Sequence, residues 1–128
     1  MMRVFKTKVF RRFQRKERMS DDSLVEAINR AEKGLVDADL GHGLIKQRIA
    51  RAGAGKSGGF RTIIAYRQGD RAVFLYGFAK NERDNIGADD LRELADYGSM
   101  LLGLSEPDAG ALVTQERLWE VKDDDEEI

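Results

Sequence analysis

The sequence predicts a small α+β domain, and three observations predict it. The chain has 128 residues, room for one ordinary domain and too few for two. Helical spacing of apolar residues marks its first and last thirds, while β-branched and aromatic runs fill the middle. Gln68-Gly69-Asp70 separates two of those runs, the signature of an antiparallel hairpin.

In chain order, Val4 to Lys8 alternates weakly and reads as a first strand. Val9, Phe10 and Phe13 follow at helical spacing, opposite Arg11, Arg12, Arg15, Lys16 and Arg18, so a short basic helix is expected over 9–17. Leu24, Ile28, Ala31 and Leu35 share one face of a helix over 20–34. Ser20 is its expected N-cap and Gly34 its stop, although Ser23 with Glu26 also fits a capping box. Strands are expected over 44–51, 60–67 and 72–79, which makes about four in all. A second long helix runs from 87 to 104, with Leu91, Leu94, Ala95, Gly98, Leu101 and Leu102 on one side and Asp89 or Asp90 as cap. A short helix over 109–117 and a short strand over 118–121 follow. Tyr66, Tyr76 and Tyr97 read as core residues and His42, between two glycines, as a loop residue. The domain reading is 1–104, with 105–128 as a C-terminal extension ending in five consecutive acids, Asp123–Glu127.

Composition removes several function classes. Cysteine is absent, which excludes disulfides, thiolate zinc sites and cysteine nucleophiles. One histidine, His42, rules out a two-histidine acid–base pair within one chain. No apolar run approaches a membrane span, and no signal-peptide pattern opens the sequence, so a cytoplasmic protein without membrane contact is expected. The net charge of −1 is the sum of two unlike parts. Residues 1–83 hold 19 Lys and Arg against 9 Asp and Glu, a net +10, and residues 84–128 hold 3 against 14, a net −11. A basic body followed by an acidic tail suggests a polyanionic partner.

Residues 50–57, Ala-Arg-Ala-Gly-Ala-Gly-Lys-Ser, match a relaxed phosphate-loop pattern. That motif works through a helix N-terminus placed after the loop. Here a glycine pair leads into a strand instead, so a nucleotide-triphosphate site is rejected. The basic residues offer another chemistry. Lys46 and Arg48 are two apart on a strand and project from one face, opposite Ile45 and Ile49 on the core side. Arg61 follows the glycine pair, and Lys80 ends the next strand. Adjacent antiparallel strands can bring these four together. Such a cluster suits RNA strand cleavage, in which the substrate's own 2′-hydroxyl is the nucleophile. Arginine clamps phosphate oxygens, and a lysine among cations can move a proton. Neither metal nor cofactor is called for. The alternative is a non-catalytic RNA- or ribosome-binding module. A transcriptional regulator fits less well, because no helix-turn-helix pair is visible and direct DNA binding is not expected.

The segments Gly43–Arg51, Gly55–Arg61 and Phe74–Glu82 resemble the RelE/HigB-type toxins of bacterial toxin–antitoxin modules, closest to the branch with a basic N-terminal helix. The resemblance covers about residues 2–104, and the Gly-Lys-Ser-Gly-Gly-Phe-Arg block at 55–61 is its most specific part. It implies helices packed on one face of a curved antiparallel sheet. It also implies a ribosome-dependent endoribonuclease, an mRNA interferase, with mRNA on the ribosome as substrate and an antitoxin protein as partner. Lys46 and Arg48 are similar to the family's strand cations near the scissile phosphate, and Arg61 to its phosphate-charge stabiliser. Relatives often place an arginine after the lysine that ends the last long strand. Here Lys80 is followed by Asn81, which shifts that role to Lys80 or Arg83. The expected catalytic set is Lys46, Arg48, Arg61 and Lys80, with Arg15, Lys16, Arg51, Lys56, Asn81 and Arg83 as further RNA contacts. Base stacking by a tyrosine at the start of the last long helix is not matched, since Ile86 and Gly87 stand there.

Overall fold

The structure, a computed structural model, describes residues 2–51, 55–79 and 87–122, with side chains apart from those of 51 and 55–58. In chain order the described elements are β1 (Arg3–Thr7), α1 (Lys8–Lys16), α2 (Asp21–Glu32), β2 (Ala38–Gly41), β3 (Leu44–Arg51), β4 (Gly55–Arg67), β5 (Arg71–Ala79), α3 (Ala88–Leu102), α4 (Glu106–Thr114) and β6 (Leu118–Val121). The six strands form one sheet in the order β2-β3-β4-β5-β1-β6.

The sheet is wider than the expected four strands, and it is mixed. Strands β2 to β5 pair antiparallel, β1 lies parallel to β5, and β6 returns antiparallel on β1. The parallel pair follows from α1 and α2, which carry the chain across the sheet before the next strand starts. β2 escaped the sequence reading because Ala-Asp-Leu-Gly carries almost no β signature. β6 lies where the sequence placed a short strand.

Helices cover both faces of the sheet, not one. On the first face α1 and α2 bury Phe10, Leu24, Ala27, Ile28 and Ala31 against Ile45, Ile49, Ile64 and Phe74. On the second, Leu101, Leu102 and Ala109 from α3 and α4 pack with Leu44, Ile63, Ala65, Val73 and Leu75. β5 can serve both layers because Leu75 is a bulge. Ile63 pairs with Tyr76 but Ile64 pairs with Phe74, which leaves Leu75 as the extra residue. The inserted residue moves Tyr76 and Phe78 to the second face and turns Gly77 to the first. A Cβ on Gly77 would lie 2.5 Å from the Phe13 ring, so α1 sits directly on this backbone. Thr7 ties the two together: its hydroxyl accepts from the Phe10 N–H and donates to the Leu75 carbonyl, both at 3.2 Å.

The helix ends follow local chemistry. Ser20 caps α2 by accepting from the Ser23 N–H at 3.3 Å. Gly34 stops it at φ +85°, and the Leu35 N–H reaches back to the Arg30 carbonyl at 2.9 Å. Leu35 therefore lies beyond the helix and is 60% exposed, rather than extending the buried stripe. His42 and Gly43 both adopt positive φ in a two-residue turn, which puts His42 in the loop as expected. Gly87, not Asp89 or Asp90, takes the N-cap position of α3, and the two acids lie in the first turn, where they complement the helix dipole. α4 starts at Glu106 after a Ser105 cap, three residues earlier than the sequence suggested.

Arg71 fastens the second layer to the sheet. It is 4% exposed and donates to the Leu101 and Leu104 carbonyls at 2.9 Å and to Glu106 at 3.1 Å. Glu106 also pairs with Arg3, which grips Glu120 at 3.0 Å. The hydrogen bond from Arg71, helped by Arg3, holds the Glu106 carboxyl below its ordinary value of 4.5.

Two measurements probe this packing. A side chain on Gly98 of α3 would meet the Ala65 Cβ at 2.9 Å, whereas Gly110 has nothing within 4 Å. Gly98→Leu is expected to lower unfolding stability by about 1–3 kcal/mol in urea melts, and Gly110→Ala to cost nothing comparable. The depressed Glu106 value makes its contribution complete above pH 4.5 and lost as pH falls through the folded value. The urea midpoint of Glu106→Gln should therefore lie below that of the wild type at neutral pH and converge with it in acid.

Candidate functional site

Strand register decides which cations meet. Across β3, β4 and β5, Arg48 pairs with Arg61 and Arg61 with Phe78, while Lys46 pairs with Ile63 and Ile63 with Tyr76. Cross-strand partners point to the same side. Lys46, Arg48 and Arg61 therefore share the second face of the sheet; alternation anticipated this for Lys46 and Arg48, and the register adds Arg61. Ile45 and Ile49, 6% and 3% exposed, lie on the other face against α2.

The three cations differ in surroundings. The Arg48 side chain is 49% exposed and has Asp37 at 3.5 Å from its guanidinium. Arg61 is half-buried, and its Nη1 is buried without a hydrogen-bond partner among the described residues. Lys46 is half-buried and has no ion-pair or hydrogen-bond partner among the described residues. Two arginines directly opposite one another repel, and a buried guanidinium nitrogen without an acceptor adds a desolvation cost. An anion bound between them relieves both penalties.

The other expected residues divide into two groups. Lys80, Asn81 and Arg83 lie outside the described residues, as do the side chains of Arg51 and Lys56. Arg15 and Lys16 are exposed in the last turn of α1, on the layer that covers the opposite face, and so are not gathered with the three strand cations. Nearby on the same helix, Arg11 stacks on Trp119, its guanidinium carbon 4.6 Å from the ring centroid.

An apolar pocket of about 500 Å³ opens on the cationic face of the sheet, lined among others by Val9, Leu75, Tyr76, Leu94 and Tyr97. Tyr66 and Tyr76 are partly buried against the two cores, as expected. Tyr97 corrects the sequence reading: it is 42% exposed at this pocket rather than in the core. Leu94, Gly98 and Leu101 form the stripe of α3 that meets the sheet, and Tyr97 falls at its margin. Sequence reasoning also missed Asp37 and Arg30, which hold Arg48 from outside the sheet. Their only signal was position, just past the Gly34 stop and on the last turn of α2. No group of three histidine or acidic side chains able to hold a metal converges among the described residues.

The opposed arginines carry a measurable cost. Arg61→Met removes the repulsion and the unpartnered nitrogen while keeping an unbranched apolar stem. It is expected to raise unfolding stability by about 1 kcal/mol in urea melts, while weakening binding to polyanions.

Among curated proteins none matches the chain significantly. A family model does: the one described as RelE toxin of the RelE / RelB toxin-antitoxin system matches residues 2–121, nearly the whole chain and including α4 and β6. With its strand cations, its basic first helix and this match, the chain belongs to the RelE toxin family.

Proposed function

We propose that this RelE-family toxin is a ribosome-dependent endoribonuclease that cleaves mRNA through attack of the 2′-hydroxyl on the adjacent phosphate. The observation that carries the reading is Arg61, its buried Nη1 unpartnered, directly opposite Arg48 and one row from Lys46. An anion seated there would partner that nitrogen and offset the repulsion between the two arginines.

In the reaction the 2′-oxygen forms a bond to phosphorus and the 5′-oxygen leaves, giving a cyclic 2′,3′-phosphate and a 5′-hydroxyl end. Arg61 and Arg48 stabilise the extra negative charge on the phosphorane. Arginine keeps its protons, so proton transfer falls to the lysines, Lys46 and Lys80. These four cations meet the demands of the step without a metal. Tyr76 stands two strands from Lys46 in the same row, about 10 Å away. The pocket it shares with Tyr97 gives a neighbouring base an apolar surface. Arg15, Lys16, Arg51, Lys56, Asn81 and Arg83 extend contact along the RNA backbone. Membership of the family brings a cognate antitoxin as the protein partner that silences this activity.

Expression of the wild type should arrest growth. Primer extension on a translated mRNA should show new ends that vanish when translation is blocked. Arg61→Ala should lower cleavage by about 10²-fold or more and relieve the arrest while the protein stays folded. A folded wild type that binds RNA yet leaves no new ends points instead to a binding module. Equal harmlessness of wild type and Arg61→Ala would sink the toxin reading.

A further inference from the structure

We infer that Asp37 restrains the anion site: it holds the Arg48 guanidinium at the edge of the sheet and must be displaced before Arg48 can grip a phosphate. This rests on reading Lys46, Arg48 and Arg61 as the RNA site.

The restraint follows from how the sheet edge is built. β2 pairs with β3 only as far as Ala38 opposite Lys46, which leaves the edge of β3 uncovered from Gln47 onward. Side chains take the place of the missing strand. The Asp37 Oδ2 accepts from the Arg48 N–H at 2.6 Å, and the Arg30 Nη2 donates to the Arg48 carbonyl at 2.5 Å. Arg30 is held in turn by both Glu26 oxygens, at 2.9 and 3.1 Å. The second Asp37 oxygen, Oδ1, lies 3.5 Å from the Arg48 Nη2. A pocket of about 310 Å³ lined by Glu26, Arg30, Asp37, Arg48 and Ala50 surrounds this arrangement.

Two forces draw the guanidinium the same way. Arg61, directly opposite, repels it, and the Asp37 carboxylate attracts it. A phosphodiester placed between the arginines reverses the balance. It offers Arg48 a bidentate partner and gives the Arg61 Nη1 an acceptor at the same time. The Arg48 side of the pair with Asp37 is 49% exposed and the Asp37 side 21%, so solvent screens the attraction enough for a phosphate to displace it.

Asp37→Asn keeps an oxygen for the Arg48 N–H and removes the charge. The probe is a short single-stranded RNA with 2′-O-methyl sugars, which cannot be cleaved, followed by fluorescence anisotropy over a range of salt. Asp37→Asn should bind about three- to fivefold tighter at low salt. Its log–log salt slope should steepen by about 0.7, the mark of one more phosphate neutralised. In an Arg48→Ala background the same substitution should change nothing. Should Asp37→Asn fail to fold, Asp37→Ser, which also retains an acceptor, repeats the comparison. Binding by the variant that is equal to or weaker than wild type overturns the inference. So does a gain that persists without Arg48, which would be a long-range charge effect. The endoribonuclease reading is tested separately by translation-dependent cleavage, and its failure with this binding pattern intact would leave the role of Asp37 standing.

Discussion

The buried amide of Gln47 is the interaction on which the cationic face depends. Gln47 is fully buried in β3, and its Nε2 donates to the Ala27 carbonyl at 2.9 Å and the Leu35 carbonyl at 3.2 Å. Its Oε1 accepts from the Asp37 N–H at 2.7 Å. Thr62 on the next strand donates to the Gln47 carbonyl at 2.9 Å. One side chain thus joins α2, the segment after it and the centre of the sheet. Leaving these buried groups unpaired would cost about 1–3 kcal/mol each, so the amide fixes the orientation of β3 strongly. With Gln47 committed to the α2 side, strand alternation sends Lys46 and Arg48 to the other.

A similar constraint acts at the far side of the sheet. Lys6 is buried and donates to Gln14 at 2.7 Å and Asp21 at 2.8 Å, and Gln14 in turn donates to Asp21 at 2.6 Å. Here a buried cation is fully compensated, as burial normally requires. Arg71 follows the same rule with two carbonyls and Glu106. Arg61 departs from it, and the contrast within one small sheet supports the reading of Arg61 as an anion contact. Lys6 and Arg71 thus bury their charge against acceptors, whereas Arg61 keeps one buried nitrogen without an acceptor among the described residues.

Much of this was legible in the residues, for definable reasons. The α2 start at Ser20 and stop at Gly34, the hairpin around Gly69 and the shared face of Lys46 and Arg48 are local consequences of capping, turn chemistry and alternation. The opposition of Arg48 to Arg61 was not legible, because register depends on pairing between distant segments. The apolar run over 72–79 was read as a strand, but its second meaning was missed. A strand buried on both sides calls for helices on both faces, and residues 71–79 are buried at every position but Tyr76. The bulge at Leu75 hid this by breaking the alternation that would have assigned faces. Asp37 had no signature at all, since its role exists only where β2 happens to end.

The outer margins of the sheet have a consequence of their own. Unpaired backbone at a sheet margin is a template on which another chain can add a strand. Here the two outermost strands, β2 and β6, are four residues long each. The stretch of β3 that β2 leaves bare has the Arg48 amide and carbonyl occupied by Asp37 and Arg30. Among the described residues a fold rich in β-branched strands is thereby left without a long free margin, and its geometry, rather than its net charge of −1, discourages runaway stacking of copies into fibres.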